Sequence, residues 1–192
     1  MTEQSFFDPI FKTFPILESE RFRLRQLETA DAEAVYRIYA NDEVTRYYDL
    51  ETFTKLEQAD ALIRRQHRLF SQKKGIRWGI TFKDKDVVIG TVGMILRTED
   101  RQGGIGYDLG RPYWRQGIMS EVLEQVIGFG FETARLDQIQ ALVMPGNAAS
   151  AGLLQKLGFK DKGILHNHAY FKGSFHDLHN FILSRNDVEE HK

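Results

Sequence analysis

Two runs of strand-forming residues separated by only four polar positions restrict this chain more than any other feature in it. Ile76-Arg-Trp-Gly-Ile-Thr-Phe82 and Val87-Val-Ile-Gly-Thr-Val-Gly-Met-Ile-Leu96 flank Lys83-Asp-Lys-Asp86. A connection that short joins neighbouring strands as an antiparallel hairpin, because a parallel pair needs a crossover of about a dozen residues or more. Gly104-Ile-Gly-Tyr-Asp-Leu109 reads as a third strand beyond the loop Thr98 to Gly103, and Phe22-Arg-Leu-Arg-Gln26 alternates as a half-buried strand does. Between them, Asp31 reads as the N-cap of a helix carrying Ala34, Val35, Ile38 and Tyr39. A second amphipathic helix from Thr54 to about Ser71 places Leu56, Ala59, Leu62, Ile63, Leu69 and Phe70 mostly on one face.

After Gly117 the spacing of Val122, Leu123, Val126, Ile127, Phe129 and Phe131 predicts a helix to about Arg135. Gln138 to Val143 reads as a strand, and Asn147 to Leu157 as a short helix closed by Gly158. Two more strand-like runs surround a polar turn at Lys172-Gly-Ser174. Strand, two helices, three strands, helix, strand, helix, two strands is an α+β or mixed α/β order. It implies a central, mostly antiparallel sheet flanked by helices, not the alternation of a doubly wound fold.

At 192 residues, 42% hydrophobic and 28% charged, the chain is the size of one domain able to bury its own core. We read residues 1–15 as an N-terminal arm, 16–185 as a single domain and 186–192 as a polar tail that frays. The arm, Ser5-Phe-Phe-Asp-Pro-Ile-Phe-Lys-Thr-Phe-Pro15, either packs its Phe side chains onto the domain or holds a partner. Lys plus Arg number 26 against 27 for Asp plus Glu, so no strong field draws the protein to nucleic acid or an anionic membrane. Cysteine is absent, which removes thiolate metal sites and a cysteine nucleophile and suits a reducing compartment. No apolar run approaches the roughly 20 residues of a membrane span. The aromatic N-terminus, with Asp8 and Lys12, does not read as a secretory signal. The expected location is the cytoplasm.

The stretch Leu109-Gly-Arg-Pro-Tyr-Trp-Arg-Gln-Gly-Ile-Met-Ser-Glu121 carries the most chemistry. It joins a strand to a helix, where unpaired N–H groups and the helix dipole can cradle a phosphate; an ordinary turn is the alternative. A P-loop lacks its Gly-Lys-Ser/Thr here, and Gly104-Ile-Gly106 lacks the third glycine of a dinucleotide fingerprint. One strand later comes Asn147-Ala-Ala-Ser-Ala-Gly-Leu-Leu-Gln-Lys-Leu-Gly-Phe159. Asn147 there suits a helix cap, and Ser150 offers a hydroxyl one turn in.

Taken in order, Leu17 to Arg25 with Asp31-Ala32, Arg77-Trp-Gly79, Ile89-Gly90, Ile105-Gly-Tyr-Asp-Leu109, Tyr113 to Glu121, Asn147 with Ser150, and Leu157-Gly-Phe159 resemble the GNAT acetyltransferases. The branch they resemble within that family is the ribosomal-protein N-terminal acetyltransferases. The resemblance implies the GNAT fold, acetyl-CoA as cosubstrate and no metal. It implies coenzyme A pyrophosphate held by main-chain N–H groups of Arg115, Gln116, Gly117, Ile118, Met119 and Ser120. Leu109 and its neighbours would end a strand splayed to receive the pantetheine, and Asn147 would meet the same cleft. Ser150 matches a Ser thought to hold or protonate the departing thiolate in that branch.

Departures are Trp114 and Met119 in the loop, and Leu154 where many family members carry a Tyr as general acid. Ala169 stands where one enzyme has a Glu base, with His166, His168 and Tyr170 nearby; His168 is the candidate base, since histidine titrates near neutrality. The implied reaction is direct attack by a neutral amine on the thioester. The acceptor is an amine or a peptide or protein N-terminus, with Asn41 to Asp49, the helix from Thr54 and the turn near Lys172 as its expected contacts. A monomer or a homodimer would serve, and an acyl-CoA-binding module without catalysis is the competing class.

Overall fold

A computed structural model describes residues 7–97 and 100–189. Its centre is an eight-stranded sheet in the order β1-β2-β3-β4-β5-β6-β8-β7. The strands are β1 (Leu17–Glu18), β2 (Phe22–Gln26), β3 (Gly75–Phe82), β4 (Lys85–Arg97), β5 (Gln102–Leu109), β6 (Gln138–Val143), β7 (Lys160–Phe171) and β8 (Ser174–Ser184). Neighbours are antiparallel except β5 and β6. The β3–β4 hairpin is tighter than the sequence suggests, because Lys85 already pairs with Phe82 and leaves only Lys83 and Asp84 in the turn.

The helices divide between the two faces according to their apolar stripes. On one face α4 (Ile118–Gly128) buries Val122, Leu123 and Val126 against Trp78, Val92 and Met94. On the other, α1 (Ala32–Tyr39) and α3 (Leu56–Ser71) bury Val35, Ile38, Ala59 and Ile63 with Leu27 and Val88. Each such side chain, fully buried, contributes about 1.5–3 kcal/mol. The arm completes the first core: Phe7 is buried, the rings of Phe11 and Phe14 lie 5.2 and 5.0 Å from Phe70, and the Trp78 indole N–H donates to the Pro15 carbonyl at 2.7 Å. Phe6 lies outside the described residues, as do positions 98 and 99 of the loop before β5.

Local readings depart from the structure at four places. Asp31 stands at the N-cap position of α1 but does not cap it with its side chain. Its carboxylate accepts instead from the Glu28 N–H at 2.8 Å and from Arg25 at 2.7 and 2.9 Å. A one-turn helix, α2 (Asp42–Thr45), forms where only loop was expected, capped by Asn41 Oδ1 accepting from the Glu43 N–H at 2.9 Å. The helix after Gly117 does not run uniformly to Arg135; α4 ends at Gly128 and continues as a π-helical turn, Phe129–Thr133. The tail does not fray from Asn186, because Arg185–Glu189 form a further short helix, α6. The Ser184 hydroxyl donates to Asp187 at 2.6 Å there, and the Arg185 guanidinium donates to the carbonyls of Phe131 and Leu136 at 2.8 and 2.7 Å.

Candidate active site

The parallel contact between β5 and β6 is short. It runs from Gln102 opposite Gln138 to Ile105 opposite Ala141 and then stops, while β5 continues to Leu109 and β6 to Val143. The two strands part there, leaving backbone N–H and C=O groups of both without a strand partner across the gap, an edge that an extended ligand can join. A cleft of about 640 Å³ opens at the parting. It is lined by Ile105 to Leu109 from β5 and Ala141 to Met144 from β6, and its end wall is the loop from Tyr113 to Ser120.

That loop is shaped by two left-handed residues, Arg115 at φ 60° and Gly117 at φ 73°. Such alternation turns successive N–H groups toward one concavity and suits an anion. The first intrahelical bond of α4 is from the Glu121 N–H to the Gly117 carbonyl at 3.2 Å, so the N–H groups of Ile118, Met119 and Ser120 sit in the unpaired first turn. Surrounding side chains hold the loop in place. The Trp114 indole donates to the Leu109 carbonyl at 2.6 Å, and Arg21 reaches the Gln116 carbonyl at 3.4 and 3.5 Å while pairing with Glu121 at 2.7 Å. Partial burial pushes the Glu121 carboxyl up, but hydrogen bonds from Ser19 and Arg21 outweigh it and hold the group below its usual value.

The side wall belongs to α5 (Ala148–Lys156). Asn147 caps it, its Oδ1 accepting from the Ser150 N–H at 3.2 Å. The Ser150 hydroxyl lies 2.7 Å from the hydroxyl of Tyr107, and both residues line the cleft. Burial pushes the Tyr107 phenol up to about 12, so it keeps its proton at neutral pH. Leu154, where many related sequences place a Tyr, is a fully buried core residue.

Opposite stand Glu43, Val44, Arg46, Tyr47 and Tyr48, on and just after α2. The Lys172 ammonium, at the β7–β8 turn, donates to the Thr45 carbonyl at 2.6 Å. Of the expected acceptor contacts, α3 contributes nothing to the cleft lining and packs on α1 and β3 instead.

Beneath this side lies a buried ionic cluster. The Asp108 carboxylate accepts from the Tyr39 and Thr91 hydroxyls, each at 2.6 Å, from Arg77 at 3.3 Å and from the Thr91 N–H at 3.2 Å. Arg77 reaches it across a row in which Arg77, Gly93 and Gly106 face one another on β3, β4 and β5. A Cβ at Gly93 would fall 2.9 Å from Arg77 Nε, so the glycine makes the arginine's path. Burial pushes the Asp108 carboxyl up, against Arg77 and the hydroxyl donors.

The structure thus brings Leu109, Arg115, Gln116, Gly117, Ile118, Met119, Ser120, Asn147 and Ser150 to one cleft. It does not bring His168 there: that side chain is exposed on β7 and is not among the lining residues. His166 is likewise turned outward, against Asp177 at 2.8 Å, and Ala169 pairs with His176 across the hairpin. Sequence reasoning passes over Tyr107 and the cluster around Asp108, although the period of two in β5 already sets Tyr107 on the same face as Ile105 and Leu109.

Comparison with known proteins agrees with this geometry. Residues 21–160 match the family model described as acetyltransferase (GNAT) domain. Over 171 residues the chain is 43% identical to the uncharacterized N-acetyltransferase YoaA of Bacillus subtilis (strain 168), covering 88% of this chain and 97% of that protein. It is 27% identical over 108 residues to the ribosomal protein uS5 alanine N-acetyltransferase of Escherichia coli (strain K12), covering 55% of this chain and 56% of that one. The RimL ribosomal L7/L12 alpha-N-protein acetyltransferase, solved in complex with coenzyme A, superposes with a TM-score of 0.79 at 17% identity, covering 88% of this chain and 98% of that chain. With the splayed strands, the anion-shaped loop and these matches together, the chain belongs to the GNAT family and is an N-acetyltransferase.

Proposed function

We propose that the enzyme transfers acetyl from acetyl-CoA to the N-terminal amine of a protein, in the cytoplasm. The observation that carries the reading is that one cleft joins a strand edge free to pair with the pantetheine, a loop shaped for pyrophosphate and the Tyr107–Ser150 hydroxyl pair. The residues fit the cosubstrate: N–H groups of Arg115 to Ser120 face the phosphates, Leu109 and Asn147 flank the pantetheine, and Ser150 faces the sulfur. The relative that acetylates an alanine of uS5 supports a protein terminus as acceptor.

Chemistry follows from positioning. An α-amine has a pKa near 8, so roughly a tenth is neutral at pH 7 and can attack without a strong base. Its nitrogen bonds to the thioester carbon, the C–S bond breaks with the electron pair left on sulfur, and the nitrogen loses its extra proton to water. Ser150 donates a hydrogen bond to the sulfur as negative charge develops, a contact stronger in the transition state than before it.

The test is thiol release with acetyl-CoA and a panel of N-terminal peptides, polyamines and small amines. Peptides beginning with small residues are expected to turn over fastest. Turnover of polyamines or small amines with none of any peptide overturns the acceptor, and absence of any melting shift with acetyl-CoA overturns the cofactor site.

A further inference from the structure

We infer that Tyr107 is a positioning residue that aims the Ser150 hydroxyl at the departing sulfur. The inference rests on the reading that Ser150 faces the thioester. The two hydroxyls lie 2.7 Å apart inside the cleft, and Ser150 has its backbone N–H already held by Asn147. A lone serine hydroxyl rotates freely, so its proton points at the sulfur only part of the time. A phenol is the better donor of the pair and an alkyl hydroxyl the better acceptor. With Tyr107 donating to Ser150 Oγ, the serine proton is the one left to face the cleft, and the bond it makes is strengthened by the one it receives.

Two features of the fold place Tyr107 for this work. It stands on β5 beyond the last pairing with β6, where the strands have parted, so its ring enters the cleft instead of a continuous sheet face. Asn147 fixes the first turn of α5 and with it the height of Ser150 on the opposite wall. The pair donates a hydrogen bond and not a proton. Burial holds the phenol near 12, well above an ordinary thiol at about 8.5. The sulfur therefore leaves as thiolate and takes its proton from water, while the amine's proton also goes to water.

The experiment is a double-mutant cycle at saturating peptide, with kcat and the acetyl-CoA KM measured separately and each variant checked for coenzyme A binding by calorimetry. Ser150→Ala is expected to lower kcat about tenfold. Tyr107→Phe is expected to lower it about fivefold with KM within twofold, and to add nothing in the Ser150→Ala background. Ser150→Thr, which keeps the hydroxyl, is expected to restore the dependence on Tyr107. A Tyr107→Phe loss of the same size with and without the serine hydroxyl overturns the inference alone, as does a KM effect with kcat intact. Full kcat in Ser150→Ala overturns the reading of Ser150 first, and the two failures are thereby told apart.

Discussion

The two walls of the cleft are built differently. The loop wall and the parted strands consist of backbone: N–H groups at the start of α4, two left-handed residues, and strand edges left free where β5 and β6 diverge. The opposite wall is side chain and short turn, with Tyr47 and Tyr48 after a one-turn helix and Lys172 reaching across from the β7–β8 turn. A backbone wall suits a ligand that never changes. It tolerates Trp114 and Met119 in place of smaller or more polar residues, since the groups that matter are common to all residues. A side-chain wall can be rebuilt without disturbing the fold, which is where a family that keeps one donor and varies its acceptors is expected to differ.

The buried cluster around Asp108 joins the two walls, because Asp108 is on β5 and Tyr39 is on α1. Removing one partner of a buried ion pair leaves the other charge unpaired and costs about 3–5 kcal/mol. Asp108→Ala is therefore expected to lower the melting temperature by roughly 10 °C, at about 2–4 °C per kcal/mol for a chain of this size. If the melting temperature is unchanged, the cluster does not couple the walls and each stands on its own.

The next largest effect is expected at Gly117. A Cβ there would meet nothing in the protein nearer than Arg21 at 3.9 Å, so packing does not demand the glycine. The left-handed φ and the close approach of a phosphate do. Gly117→Val is expected to keep a cooperative thermal transition and to weaken acetyl-CoA about a hundredfold, about 2.7 kcal/mol. Calorimetry giving wild-type affinity in the folded variant moves the pyrophosphate elsewhere and breaks the idea of a backbone wall.

A smaller effect separates the walls by pH. Tyr107 in the folded protein holds its proton up to about 12, against about 10 in an unfolded chain. The stabilisation is fully present below pH 10 and is lost as pH rises through 12, at about 1.4 kcal/mol per unit between. Burial also pushes Tyr39 and Tyr48 up, so they add in the same direction. Denaturant unfolding from pH 9 to pH 11 is expected to show falling stability, with a fall about 1.4 kcal/mol smaller between pH 10 and 11 in Tyr107→Phe. An unchanged slope in that variant means the phenol is not held as its burial requires.

How far each wall can be read from sequence depends on its construction. The span of β6 and the cap and exit of α5 are local signals, and the structure has Gln138–Val143 and Asn147 as read. The loop from Arg115 to Ser120 is legible as a motif because its geometry is set within a dozen residues. Tyr107 lies inside the Ile105 to Leu109 motif, yet its role depends on where β5 stops pairing with β6, which is a property of two strands and not of one. Asp31 shows the same limit: the sequence places it at a cap, and the Arg25 guanidinium from β2 takes its carboxylate. α2 is too short for helical spacing to reveal it.

His168 tests the remaining wall and is expected to show the smallest effect of all. Its assignment as base requires β7 to alternate regularly after Phe159. The strand does not: its pairing with β8 shifts register between Asp161 and Ile164 and again between Leu165 and Ala169, with Gly163 at φ 95° and Asn167 at φ 49°. Each bulge inserts a residue that moves the rest of the strand to the other face, so counting in twos from the start of the strand loses its meaning before it reaches His168. Here the side chain is exposed and outside the cleft lining. His168→Ala is accordingly expected to leave both kcat and the acidic limb of the kcat/KM profile in place, since that limb should track the acceptor amine. Peptides whose terminal amines differ in pKa should then move the limb in step with their own values, in the variant as in the parent. A limb that stays fixed across those peptides and shifts only when His168 is removed would make the histidine the base after all, and would require the β7–β8 hairpin to fold over the cleft when the acceptor binds.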